Sequence, residues 1–287
     1  MPIKPHTLAW GIEQYRKSVV WKQLATATRR QRENIYRAAC EKSGATRLGD
    51  ITAHTIVAAR DKRADTPHQA NVFVKAMRAF FQWAAGPGAL VAADPTVGVK
   101  LLKGRNDKVG FHTWTEAECA KFEAHWPLGT MERLAFDVLL YTGLRRGDAA
   151  RLGPAHVHDG IIAMRMEKTG ETVTLPLLEP LKASIAATPC GQTTFIASAH
   201  GRSFVKESFG NWFRKACQAA GVPGSAHGLR KAGATRAAEA GATELELMAL
   251  YGWTSAKQAG VYTRAANRRR LAISAAPKLV RAEKSDQ

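Results

Sequence analysis

The sequence predicts a mainly α-helical protein with one small antiparallel β-sheet, arranged as two domains within 287 residues. Three observations lead there. Apolar residues recur at helical spacing through the N-terminal third. A single region, residues 159–176, carries tight-turn signals between β-prone runs. A polar, basic, aperiodic run at residues 100–108 separates the two parts and reads as a linker. At roughly 150 residues per domain, the length suits two domains with cores of their own. Hydrophobic residues make up 45% of the chain, which points to globular folding and not disorder. The expected domains are residues 1–105, helical, and residues 106–287.

The first domain reads as helices. A basic amphipathic helix is expected over about 28–42, with Ile35, Ala38 and Ala39 on its apolar side. A second is expected over about 66–85, where Phe73, Met77, Phe80 and Ala84 repeat at helical spacing. On another side of that helix Asn71, Lys75 and Arg78 repeat in the same way. Such a stripe is either a solvated face or a row of phosphate contacts. Arg29 and Arg30, on the earlier basic helix, are the next candidates for the same role. Gly86-Pro87-Gly88 breaks the second helix, and Asp94-Pro95 marks a turn.

The second domain opens at Thr115, three residues before Glu118, a capping-box pattern that satisfies free amides at a helix start. Residues 134–141 form an apolar run suited to a buried helix, and Gly143 lets the chain turn out of it. That places Arg145 at a helix–helix junction. Asp159-Gly160 is a tight-turn signal, followed by β-prone runs at 161–166 and 172–176. Two successive hairpins are expected, with Lys168 near the second turn. The remainder returns to helix, with a loop at 221–224 ahead of His227 and a helix stop at Gly241.

Composition narrows the partner. Lys and Arg number 42 against 24 Asp and Glu, a net charge of +18. An excess of this size favours a polyanion. No apolar run approaches the ~20 residues of a membrane span, and no signal peptide is expected. Cys40, Cys119, Cys190 and Cys217 lie far apart, without metal-binding spacing, and read as reduced packing residues. His156-Val157-His158 is too isolated for a zinc site, and Arg146-Gly147-Asp148 is a chance tripeptide. No metal and no cofactor is expected, and a cytoplasmic, nucleoid-associated location is.

The chemistry concentrates in one set of residues. His227-Gly-Leu-Arg230 is followed by Trp253 and Tyr262 and preceded by Thr142-Gly-Leu-Arg145. Two guanidiniums, an imidazole, an indole and a phenol together can attack a phosphodiester without a metal. A free phenol, with a pKa of about 10, is a poor nucleophile at neutral pH. Groups that stabilise an anionic transition state make its attack feasible. A guanidinium holds two phosphate oxygens at once, which an ammonium cannot. His227 and Arg230, three apart on a helix, share a face.

The segments HGLRKAGATRAAEAG and LYGWTSAKQAGVY resemble the C-terminal half of the tyrosine recombinases, the phage integrase family. TGLRRGD resembles that family's T-G-x-R-x-x-E box, with Asp148 in place of the usual glutamate. The resemblance implies that Arg145 and Arg230 clamp the phosphate and that Lys168 stands where the family carries its hairpin lysine, the general acid for the departing 5′ oxygen. Lys182 and Lys206 are weaker candidates for that task. His227 would bond a phosphate oxygen and take the phenolic proton. Trp253 replaces the family's more usual histidine, and its indole N–H can donate but not shuttle protons. Asp148 would orient an arginine or its neighbours. Tyr262, nine residues after Trp253 as in the family, would be the nucleophile. Tyr251 and Tyr141 read as packing residues.

The resemblance further implies a helical core-binding domain ahead of a catalytic one. It implies duplex DNA as substrate, a covalent 3′-phosphotyrosine intermediate and a synaptic tetramer. Residues 264–287, basic at 268–270 and partly apolar afterwards, would dock as a tail on a neighbouring subunit. An accessory directionality factor is a further possible partner, and the arm-binding domain of many phage integrases is not expected. Three other classes compete. A type IB topoisomerase would use the same chemistry to reseal one strand. A non-catalytic DNA-binding relative would have lost site residues, yet every position here holds a competent one. A serine acyltransferase is suggested by Lys168-Thr-Gly170 and Ser203-x-x-Lys206, but their order is reversed and S-D-N is missing.

Overall fold

The computed structural model describes residues 4–103 and 111–279, which fall in two compact units, residues 1–108 and 109–287. The first unit is helical. The helices are α1 (Leu8–Lys17), α2 (Val19–Lys22), α3 (Thr26–Ser43), α4 (Ala53–Asp61) and α5 (Pro67–Ala85). Side-chain caps set several starts: Thr7 accepts from Trp10 N, Ser18 from Trp21 N, and Thr52 forms a reciprocal box with Thr55. Pro67 suits the first position of α5, where its missing N–H costs no helical bond.

The apolar stripe of α5 faces inward as its spacing predicts. Phe73, Met77, Phe80 and Ala84 are all buried, and α3 contributes Tyr36 and Ala39. Tyr15, Tyr36 and Phe80 meet at ring separations of 5.9–6.3 Å with steep interplanar angles, the edge-on arrangement aromatic quadrupoles favour. The buried Tyr36 hydroxyl donates to Ala76 O at 2.8 Å, so its burial leaves no donor unpaired. The α5 helix ends at Ala85 before Gly86, and Asp94 Oδ1 accepts from both the amide and hydroxyl of Thr96.

The other side of α5 departs from expectation. Asn71 exchanges two 2.8 Å bonds with the backbone of Leu102, and Arg78 Nη2 donates to Val99 O at 2.7 Å. Arg60 of α4 reaches Lys100 O at 2.5 Å. Residues 99–102 are therefore strapped to α4 and α5, and the expected linker does not begin at Lys100. Its later part, residues 104–108, lies outside the described residues. Of the stripe, Lys75 is exposed, while Asn71 and Arg78 spend donors on the strap.

The second unit has eight α-helices among its described residues: α6 (Glu116–His125), α7 (Met131–Thr142), α8 (Arg146–Ala149), α9 (Glu179–Ala187), α10 (Lys206–Ala219), α11 (Ala226–Glu239), α12 (Glu244–Tyr251) and α13 (Ala256–Ala275). The Thr115–Glu118 capping box is complete. Between α8 and α9 runs a three-stranded antiparallel sheet, β1 (Val157–His158), β2 (Ile161–Arg165) and β3 (Thr172–Pro176), ordered β1-β2-β3. Ile162 and Met164 of β2 and Val173 and Leu175 of β3 are buried on one face, a two-residue period. Helix does not resume at once after α9. Residues 188–205 are irregular, pinned by an antiparallel bridge between Ala197 and Ser203.

The α7 helix is the axis of this unit, with seven consecutive buried residues from Leu134 to Leu140, packed by α9 and α11. Phe136 stacks on Phe122 at 5.0 Å, beside Trp114 and Phe213. No helix among the described residues is long and apolar enough to cross a membrane. Replacing Tyr36 with Phe removes one buried hydrogen bond without opening a cavity. We expect a loss of about 1 kcal/mol in urea unfolding of the full chain; an unchanged midpoint would mean that the bond to Ala76 contributes nothing.

Candidate active site

The site is built where α7 ends. Gly143 adopts φ 58°, in the left-handed region, and a Cβ there would lie 2.2 Å from the Tyr251 ring. Only glycine permits both the turn and this approach. Thr142 Oγ1 accepts from Leu144 N at 3.2 Å and fixes the next step of the chain. Arg145 then caps the short α8 in extended conformation. Its Nη1 is buried and has no hydrogen-bond partner.

The α11 helix starts at Ser225, whose hydroxyl accepts from Gly228 N. His227 faces solvent and Arg230 is 4% exposed. Arg230 Nη1 donates to Gly143 O and Nη2 to Tyr251 O at 2.6 Å. Its guanidinium lies 5.0 Å from the Tyr251 ring centre and 5.6 Å from that of Trp253. Burial, chiefly, and then the charge of Arg145 lower its pKa to about 10, so it remains a cation at neutral pH.

Trp253 is the middle ring of a stack. It lies 4.8 Å from Tyr251 and 5.5 Å from Tyr262, with interplanar angles of 21° and 10°. Tyr251 is buried, its ring against Gly143 and its hydroxyl close to Gly233. Tyr262 is half-buried on α13, which is moored to α12 by Thr263 Oγ1 donating to Glu244 Oε1 at 3.1 Å. Burial raises the Tyr262 pKa, and the Arg230 charge opposes that rise. The phenol is thus protonated at neutral pH.

Lys168 is exposed in the β2–β3 turn, where Met166 N donates to Glu171 O and Gly170 N to Met166 O. Asp148 steadies this turn. It is 1% exposed, and its Oδ1 accepts from Glu167 N at 2.9 Å and from Arg151 Nη2 at 2.6 Å. The carboxylate therefore serves the hairpin and Arg151. The Lys206 stem packs at Gly147 of α8, near Glu167, while Lys182 contacts Glu179 on α9.

These placements gather Arg145, Lys168, His227, Arg230, Trp253 and Tyr262. Partial desolvation first, then the charges of Arg230, Lys231, Arg145 and Lys168, hold the His227 imidazole below its usual pKa. It is a neutral acceptor at neutral pH. Sequence reasoning missed two contributors. Phe111 lies against the His227 ring at 4.6 Å, and the carbonyls of Gly143 and Tyr251 hold Arg230. Glycines at 143 and 228, where a side chain would collide with neighbours, were the available signal. Arg29 and Arg30 lie on α3 in the other unit; Arg30 is exposed and Arg29 Nη2 reaches Thr26 Oγ1 at 3.5 Å. Among the described residues, no cluster of three His, Cys, Asp or Glu side chains is placed to hold a metal.

Residues 117–269 match the phage integrase family, and the chain belongs to that family, the tyrosine recombinases. The integrase of Escherichia phage HK022 is 31% identical over 156 residues, which are 49% of this chain and 43% of that protein. The chain therefore matches less than half of that relative's length. Among solved structures, a lambda integrase dimer bound to a COC' core site superposes with a TM-score of 0.76 at 22% identity, over 90% of this chain and 95% of that one. The Tn1549 transposon integrase in complex with circular intermediate DNA gives 0.72 at 15% identity, over 92% and 99%. A lambda integrase tetramer bound to a Holliday junction gives 0.74 at 21%, over 88% and 77%. At these identities the likeness is one of fold.

The Asp148 contacts predict a separable effect. Asp148→Ala should destabilise the protein by about 1–3 kcal/mol, since it removes the buried carboxylate that accepts from the Glu167 amide and from Arg151. Hydrogen exchange at the Glu167 amide should accelerate, and Asp148→Asn should retain most of its protection. Equal exchange in all three proteins would show that another group holds the turn.

Proposed function

We propose that this protein is a site-specific recombinase that cleaves and rejoins duplex DNA through a covalent 3′-phosphotyrosine. The observation that carries the reading is the buried, unpartnered Nη1 of Arg145 beside the buried cation of Arg230, with the Tyr262 phenol stacked at the same place. A buried guanidinium nitrogen without an acceptor, next to a buried cation, is costly. A phosphodiester would give that nitrogen an acceptor and both guanidiniums an opposite charge.

In this reading, Arg145 and Arg230 each donate to non-bridging oxygens of the scissile phosphate. The charge that develops there is met by donors already in position. Tyr262 Oη attacks phosphorus in line with the 5′ oxygen. The phenolic proton passes to neutral His227, and Lys168 protonates the departing 5′ oxygen, which leaves as a hydroxyl. A bond from phosphorus to the tyrosine oxygen replaces the bond from phosphorus to the 5′ oxygen, so bond energy is retained. Attack by a 5′-hydroxyl from a partner strand reverses the step, without ATP and without a metal. Trp253 supports Tyr262 with its ring face and offers its N–H to an oxygen.

The first unit, residues 1–108, is assigned the role of core-binding domain, and residues 109–287 the catalysis, close to the boundary of 105 expected from the sequence. Lys75 and Arg30 are exposed cations suited to phosphates, and Arg29, Asn71 and Arg78 would add to them with donors their internal contacts leave free. The protein would act as a tetramer on DNA. Supporting this, residues 268–279 are exposed, with Leu271, Ile273 and Leu279 uncovered on the end of α13 and beyond it. That apolar surface suits docking on another subunit.

On a nicked suicide substrate carrying the target site, the protein should become covalently joined to DNA in EDTA. Tyr262→Phe should abolish the adduct and leave DNA binding nearly intact. An adduct that persists in this variant, or one that needs Mg²⁺, overturns the reading. Arg145→Ala and Arg230→Ala should each slow cleavage by ~10²-fold or more. Lys168→Ala should slow cleavage of the normal phosphate and recover when the leaving oxygen is replaced by sulfur, which needs no proton. Failure to recover would move the general acid to another residue. For the first unit, Lys75→Gln should lower the salt dependence of binding by about one unit, the contribution of a single phosphate contact. An unchanged slope would leave Lys75 facing solvent.

A further inference from the structure

Residues 111–114 are seated along the start of α11, ahead of the catalytic unit's first helix. Trp114 Nε1 donates to Ser225 O at 3.1 Å, and Lys231 Nζ donates to Phe111 O at 2.6 Å. The helix is shaped for this segment. A Cβ at Gly228 would lie 2.3 Å from His112 O and 2.8 Å from the Trp114 ring, and one at Gly224 would lie 2.0 Å from the same indole. His227 and Lys231, four residues apart on α11, therefore bracket Phe111. The imidazole meets its ring at 4.6 Å, and the ammonium holds its carbonyl. Phe111 is itself 62% exposed, so its ring contributes little to the core.

An exposed phenylalanine fixed by its own backbone, with its ring on a histidine, calls for an explanation. We infer that Phe111 is a positioning residue for His227: it covers one side of the imidazole, limits its rotation and keeps water from that side. The inference rests on the proton-transfer role assigned to His227 above. The groups facing His227 are Arg230 and Lys231 on α11, Arg145 at the start of α8, and Lys168 in the hairpin, all cations. His112, adjacent in sequence, is paired with Glu118 at 2.8 Å. Partial desolvation and positive neighbours both disfavour an imidazolium. The ring keeps His227 in the neutral form that can accept a proton as pH falls.

The test uses the full chain with isotope-labelled histidines, the His227 signal being assigned by its loss in His227→Gln. In the free protein, Phe111→Ala should raise the His227 pKa as water returns to the ring, and Phe111→Tyr should restore the wild-type titration. The other histidine signals should remain in place in both variants, which excludes misfolding as the cause. A Phe111→Ala protein whose His227 titrates as in the wild type overturns the inference. On the nicked substrate, Phe111→Ala should lose roughly twofold or more of its cleavage rate at pH 6 relative to pH 8, because less of the base is neutral. If the titration moves and this ratio does not, Phe111 still positions His227 and the proton-transfer assignment is what fails.

Discussion

The site depends on how Arg230 is held. Its guanidinium spans from the carbonyl after α7 to the carbonyl that ends α12, beneath two aromatic rings. One side chain thereby sets the spacing between the junction that carries Arg145 and the segment that carries Trp253 and, through the stack, Tyr262. A lysine, with one point charge, would not brace two carbonyls in fixed directions. Burial would be prohibitive for a lone cation, and these carbonyls and ring faces make it tolerable.

A second constraint follows from the charge. Arg145, Lys168, Arg230 and Lys231 all act on His227 with the same sign. Packing and backbone contacts hold this repulsive group together: Gly143 against Tyr251, Asp148 on the hairpin amide, and Ser225 on the first turn of α11. Bringing these like charges together works against local stability. The apolar axis of α7 and the aromatic cluster of Phe122, Phe136 and Phe213 supply the compensating burial.

Much of this was legible in the sequence because short-range rules govern it. The α5 stripe, the Thr115 capping box, the Asp159-Gly160 turn and the left-handed Gly143 all follow from spacing and local backbone preference. The residues of the candidate site, which the fold brings together, were legible as a group through their order along the chain. What escaped was long-range. Asn71 and Arg78 repeat at helical spacing, as a solvent or DNA stripe would, yet each bonds to backbone more than twenty residues away. No periodicity reveals that a polar side chain has a distant carbonyl as partner. For Asp148 an arginine partner was legible, and Arg151 supplies it, while the hairpin amide nineteen residues on was invisible. The break over residues 188–205 carried apolar residues that serve irregular packing as well as helix.

The stacking of Tyr262 on Trp253 has a consequence for how the phenol can move. Ring pairs of this kind contribute only about 0.5–1.5 kcal/mol beyond the area they bury. That is roughly a factor of ten in population at most, so the stack alone would leave an unstacked phenol a sizeable minority. The helix beneath it is fixed more firmly, by the buried Ala259 and by Thr263 on Glu244. Tyr262 is thus a loosely seated ring on a firmly seated helix. Such a side chain can turn toward a neighbouring ligand without its backbone leaving the fold.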